Sequence, residues 1–173
     1  MGGSHYEKKW GRLMIILSVL FLMADLPTIG NAAESGEFRG TWIANGKREM
    51  FPFGDERKIY TFKLSGHVNL ETSLGRQKDY WSDCVGFADT GTGIEARCVW
   101  KDFAGPKVFM TLKSEKLQKD NRFTGTIVGG TEHLKGITGE LSFIWSSLSF
   151  QEEGGKSSVT GQTLDLRGTY QVP

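Results

Sequence analysis

From Tyr60 to Glu71 every second residue is apolar or small. Tyr60, Phe62, Leu64, Gly66, Val68 and Leu70 alternate with Thr61, Lys63, Ser65, His67, Asn69 and Glu71. Successive side chains of a strand point to opposite faces, so this pattern predicts a half-buried strand with the first set inward and His67 outward. Similar period-two runs, broken by clusters of Gly, Asp, Asn and Ser, predict eight strands near 38–44, 57–70, 78–88, 93–103, 106–113, 121–128, 138–150 and 158–172. Helical periodicity is almost absent. The gaps are short, as hairpins require. An even number of up-and-down strands predicts an all-β domain, a single eight-stranded antiparallel closed β-barrel, because closure removes the free edges. A two-sheet sandwich is the alternative.

The two cysteines of the chain fix a register. If the turn in Asp89-Thr90-Gly91-Thr92-Gly93 centres on Gly91, Cys84 faces Cys98, Gly86 faces Ala96 and Ser82 faces Trp100. The face of Cys84 also carries Tyr80, Ala88 and Ile94, which are nearly uncharged and predict the lumen. The opposite face pairs Phe87 with Glu95, Val85 with Arg97 and Trp81 with Lys101. A barrel that is apolar inside and charged outside reverses the pattern of an outer-membrane barrel.

By the same alternation the lumen gathers Tyr60, Phe62, Tyr80, Ser82, Trp100 and Met110, together with Phe123, Ile127, Leu164, Leu166 and Tyr170. Gly66, Gly86, Gly125 and Ala96 leave room among these large side chains, and Tyr60, Tyr80, Ser82 and Gln162 supply sparse polar groups. Eight strands enclose either a filled core or one small ligand. In strand 138–150 both faces are apolar. Leu141, Phe143 and Trp145 lie on one side and Ile144, Leu148 and Phe150 on the other, which predicts a covered outer face and a homo-oligomer, trimer or dimer. Trp81 and Phe87 could join that interface.

Residues 1–33 read as a secretory leader. Lys8, Lys9 and Arg12 precede an apolar run of eleven, Leu13 to Met23, too short to span a bilayer, and small residues near Ala33 follow it. The barrel domain is then 34–173, about 140 residues, enough for one core. Loss of the leader removes three basic and two acidic side chains and leaves 18 of each sign. A near-neutral chain without a basic stripe excludes nucleic acid as the expected partner, and no membrane span is expected after cleavage. Export, to a periplasm or outside the cell, makes a Cys84–Cys98 disulfide the default.

Catalytic signals are weak. No GxSxG, HExxH, phosphate-binding or dinucleotide-binding motif occurs, no cofactor is implied, and His67 and His133 lie too far apart in sequence, with both cysteines committed, to suggest a metal site. Of the carboxylates only Glu49, in Lys47-Arg48-Glu49-Met50-Phe51-Pro52-Phe53, is a candidate for the lumen or a lid.

One segment carries a family resemblance. Val128-Gly129-Gly130-Thr131-Glu132-His133-Leu134-Lys135-Gly136-Ile137-Thr138-Gly139 resembles the glycine-rich hairpin of the allene oxide cyclase and dirigent barrels, with Glu132 where a further glycine is common. The resemblance implies an eight-stranded barrel that often forms trimers, in a family whose members cyclise an unsaturated epoxide or steer radical coupling. It brings no catalytic residue to a position in this chain. Gly40-Thr41-Trp42 resembles the opening of lipocalins, where a basic residue of a late strand packs on the tryptophan; Arg167 is the residue that the resemblance implies here. The expected function is a carrier or sensor for a small apolar molecule. A cyclase or isomerase, and a filled barrel serving as a protein-interaction module, are the alternatives.

Overall fold

The computed structural model describes residues 33–115, 121–154 and 156–173; the leader expected before Ala33 lies outside the described residues. Eight strands, β1 (Glu34–Pro52), β2 (Lys58–Thr72), β3 (Gln77–Asp89), β4 (Gly93–Asp102), β5 (Lys107–Ser114), β6 (Asn121–Gly130), β7 (Thr138–Glu153) and β8 (Lys156–Val172), form one closed barrel in chain order, every neighbour antiparallel. A single 3-10 turn, Glu132–Leu134, interrupts the connection from β6 to β7 among the described residues. The expected fold is the observed one.

The alternation read from the sequence governs β2, β3 and β4 throughout. Val68, Leu70, Tyr80, Ser82, Cys84, Ala96 and Trp100 are buried, whereas Lys63, Val85, Phe87, Glu95 and Arg97 face out. Cys84 pairs with Cys98, Gly86 with Ala96 and Ser82 with Trp100. Cys84 and Cys98 are joined in a disulfide across this pair, with Cα atoms 4.1 Å apart.

Three features were not expected. First, β1 continues eight residues beyond Ala44, so that Trp42, Ala44, Gly46, Arg48 and Met50 all lie on the inward side while Glu49 is exposed on the outside, opposite Thr61 and Lys156. Glu49 is therefore no lumen group. Second, β8 carries a bulge. Gly40 pairs with Leu166 but Ile43 with Gln162, so β8 spends four residues where β1 spends three. Asp165 takes up the extra residue with φ of +55°. An inserted residue reverses the facing of everything beyond it. Thr163 turns inward (2% exposed), while Leu164 (46% exposed) and Gln162 stand on the outer side. Both had been expected inside. Third, β7 bulges at Leu148, between the pairs Ser147–Gly161 and Ser149–Thr160. Phe150 then pairs with Val159 and turns to the inner side, which removes it from the outer face proposed for an interface.

The lumen is layered. At mid-height Val68, Ser82, Cys98, Met110, Leu141 and Leu166 are all buried and close the tube. Cavities remain on either side of this layer and share no lining residue. Burial of several such side chains, at about 2 kcal/mol each, supplies much of the stability of the barrel.

Candidate ligand-binding site

The cavity towards the β1–β2 and β7–β8 hairpins has a volume of about 140 Å³. Its deep wall is formed by Cys84, Ala96, Leu112 and Phe123, and its flank by Trp42, Phe143 and Trp145. The aromatics brace one another. Trp42 packs edge-on against Phe143 at 6.1 Å between ring centroids and tilted against Trp145 at 5.3 Å, and Phe123 stacks on Phe143 at 5.0 Å. A wall built from mutually packed rings holds its shape when no guest is present.

The Trp42 indole Nε1 is buried within this wall without a hydrogen-bond partner among the described residues and presents essentially no surface to the cavity. A buried donor left unpaired is costly. One charged group meets the cavity, Arg48 at the rim. Its guanidinium lies between two rings, 4.6 Å from the Tyr60 centroid and 4.2 Å from that of Phe150, and its Nε donates to Ser157 Oγ at 2.7 Å. Facing of Phe150 to the inner side, produced by the bulge at Leu148, makes this clamp possible. Arg167, the residue implied by the lipocalin resemblance, instead pairs with Asp165 on the outside and does not touch Trp42.

The other cavity, about 280 Å³, lies towards the chain ends of the barrel. It is rimmed by charge of both signs, including Glu34, Arg76, Lys78 and Asp102. Tyr170 donates to Glu34 Oε1 at 3.0 Å, and burial, followed by this bond, raises its pKa. Tyr80 is pushed up to about 12, first by burial and then by the charge of Asp102, so it is a neutral donor at ordinary pH.

The structure thus distributes the residues expected to line one lumen. Tyr60 and Phe62 line the apolar cavity. Tyr80, Trp100 and Tyr170 line the other. Ser82 and Met110 belong to the layer between them, and Gln162 is outside. Gly86 does not open space. The Phe62 ring lies against it, and a Cβ there would collide with Phe62 Cζ and the Glu95 carbonyl. Gly125 is likewise filled over, by Leu112 and Leu141. Trp42, Arg48, Leu112, Ser147 and Val159 are lining residues that the alternation did not assign to the lumen, and Phe143 and Trp145 were placed on one face of their strand without a choice of side. Unbroken period two from Trp42 through Met50 is the signal that could have placed Arg48.

The chain matches no family model and no curated protein. The geometry therefore carries the functional argument alone. Among the lining of the apolar cavity the ionisable side chains are Arg48 and Tyr60; no carboxylate or imidazole is present to move a proton. Among the described residues no cluster of three or more His, Cys, Asp or Glu side chains could hold a metal ion.

Proposed function

We propose that the protein is a carrier or sensor for a small apolar molecule, held in the cavity between Trp42, Phe123, Phe143 and Trp145. The observation that carries this reading is an apolar cavity walled by mutually packed aromatic rings, with few polar side chains in its lining, Arg48, Tyr60 and Ser147. Pockets for small molecules are largely apolar with a few placed polar groups that orient the guest. The lack of an acid–base pair in the lining favours binding over the cyclase or isomerase alternative, and the family resemblance of the Val128–Gly139 hairpin remains a proposal about ancestry. In this reading the protein acts after export, in a periplasm or outside the cell, where its disulfide is at home. Among the described residues no helix is long and apolar enough to cross a membrane. The charged outer face, with Lys63, Glu95, Arg97 and Lys113, suits water better than lipid.

Native mass spectrometry after gentle purification, together with quenching of tryptophan fluorescence by apolar probes, tests the reading. A copurified small molecule, or saturable quenching attributable to Trp42 and Trp145, supports it. An unaccompanied chain that no apolar probe quenches leaves the interaction module as the better account. A specific observation keeps self-association in view. Trp81, Val85 and Phe87 are exposed on the outer side of β3, with the ion-paired Asp83 between the first two, and light scattering at micromolar concentration distinguishes a dimer or trimer from a monomer.

A further inference from the structure

Resting on the binding reading above, we infer that the guest is an anion: a small carboxylate whose apolar body fills the 140 Å³ cavity and whose head is received by Arg48. The size limit comes first. A cavity of about 150 Å³ lined by apolar side chains is filled by one benzene. The apolar cavity, at about 140 Å³, takes a body of one ring or an acyl chain of similar bulk. A long acyl chain would extend out of it past the rim.

The head follows from the state of Arg48. The ion pairs of the described residues use Arg39, Arg57, Arg76 and Arg167 among the arginines. Arg48 has no carboxylate partner among the described residues, and its one side-chain hydrogen bond runs from Nε to a neutral hydroxyl. Both terminal nitrogens keep their donors for another group. The nearest carboxylate on the same face by register is Glu152. It lies across β8 from Arg48, two strand spacings or about 10 Å away, and is exposed. The rings of Tyr60 and Phe150 fix the plane of the guanidinium, and Ser157 fixes its edge. A planar fork held in place and unpaired is suited to bidentate capture of a carboxylate. Its place among the residues lining the cavity puts that capture where a guest buried by its apolar end would leave its head.

The test compares three probes of one shape at neutral pH by titration calorimetry: phenylacetate, 2-phenylethanol and phenethylamine. The expected order places phenylacetate about tenfold or more tighter than 2-phenylethanol, as one charge-assisted interaction allows, with phenethylamine weakest. The preference for the anion should shrink with added salt. In Arg48→Gln the ratio of phenylacetate to 2-phenylethanol affinity should fall to about one or below, whatever the affinity for the neutral probe becomes. Arg48→Lys, which keeps the charge but not the fork, should retain a preference of the same sign, and it decides the matter should the Gln variant fail to fold. Binding of 2-phenylethanol equal to or tighter than that of phenylacetate overturns the anion inference and leaves the apolar carrier standing. Binding of none of the three probes overturns both.

Discussion

Thr163 is the residue through which the bulge in β8 can be tested. The bulge turns its side chain inward, where Oγ1 accepts the backbone N–H of Trp42 at 2.8 Å. Both residues are buried, Thr163 at 2% and Trp42 at 4% exposure. The register of β1 on β8 shifts between Gly40 and Ile43, so this hydroxyl stands where the regular ladder does not serve the Trp42 amide. Thr163→Val keeps the shape and removes the acceptor. The Trp42 amide is then buried and unpaired, which costs about 1–3 kcal/mol. Thr163→Ser keeps the acceptor and loses a methyl group, about 1 kcal/mol. A domain of this size shifts its melting temperature by about 4 °C per kcal/mol. The Val variant should therefore melt about 4–12 °C below the parent and the Ser variant about 4 °C below it. Amide hydrogen exchange supplies the residue-level readout. The Trp42 amide should lose protection in Thr163→Val and keep it in Thr163→Ser. A Val variant at least as stable as the Ser variant, with the Trp42 amide still protected, would refute the reasoning.

Three further outcomes are expected. Reduction of Cys84–Cys98, or its replacement by two alanines, should cost about 3 kcal/mol for a loop of this size and should weaken binding of apolar probes, because Cys84 lines the cavity; melting curves that coincide with and without reductant would contradict this. The buried Asp89 carboxylate accepts two hydrogen bonds from Arg57 and a third from the Gly91 N–H, which hold its pKa far below the usual carboxylate range. A depressed folded-state pKa gives stability that is present above the unfolded value near 3.9 and lost as pH falls below it, so Asp89→Asn should be less stable at neutral pH and show a flatter decline between about pH 4 and pH 2; an acid profile parallel to that of the parent would sink the assignment. Gly86→Leu should overpack against Phe62 and the Glu95 carbonyl and cost about 1–3 kcal/mol or more, and a thermal melt unchanged from the parent would show that free space exists there after all.

Much of the barrel is legible in the residues because period two is strict in β2, β3 and β4 and the Gly91 turn leaves one register for Cys84 and Cys98. Facing failed where a strand spends one residue more than its neighbour. Leu148 and the Leu164–Asp165 pair each insert a residue, and no count along a single strand reveals it. The segment Ser157 to Thr163 gives no warning either, since Gln162 and Thr163 are both polar and only the partner strand decides which turns inward. Arg48 was hidden because the expected first strand ended at Ala44, and the facing of Lys47 to Pro52 can be read only once β1 is seen to run on to Pro52. Glycine was misleading in the other direction. Gly86 and Gly125 do mark thin wall, but Phe62 and Leu112 occupy the space they leave.

The closed middle layer has a kinetic consequence. With Val68, Ser82, Met110 and Leu166 packed across the tube, a guest in the apolar cavity has no second exit at the far end. Arrival and departure pass the same doorway, where Arg48, Tyr60 and Phe150 stand. By microscopic reversibility, a change that only widens that doorway must speed both journeys by the same factor. Changes that only widen or narrow the doorway can therefore tune residence time without altering equilibrium affinity, which in the reading proposed above is set by the contacts of Arg48 and of the aromatic wall.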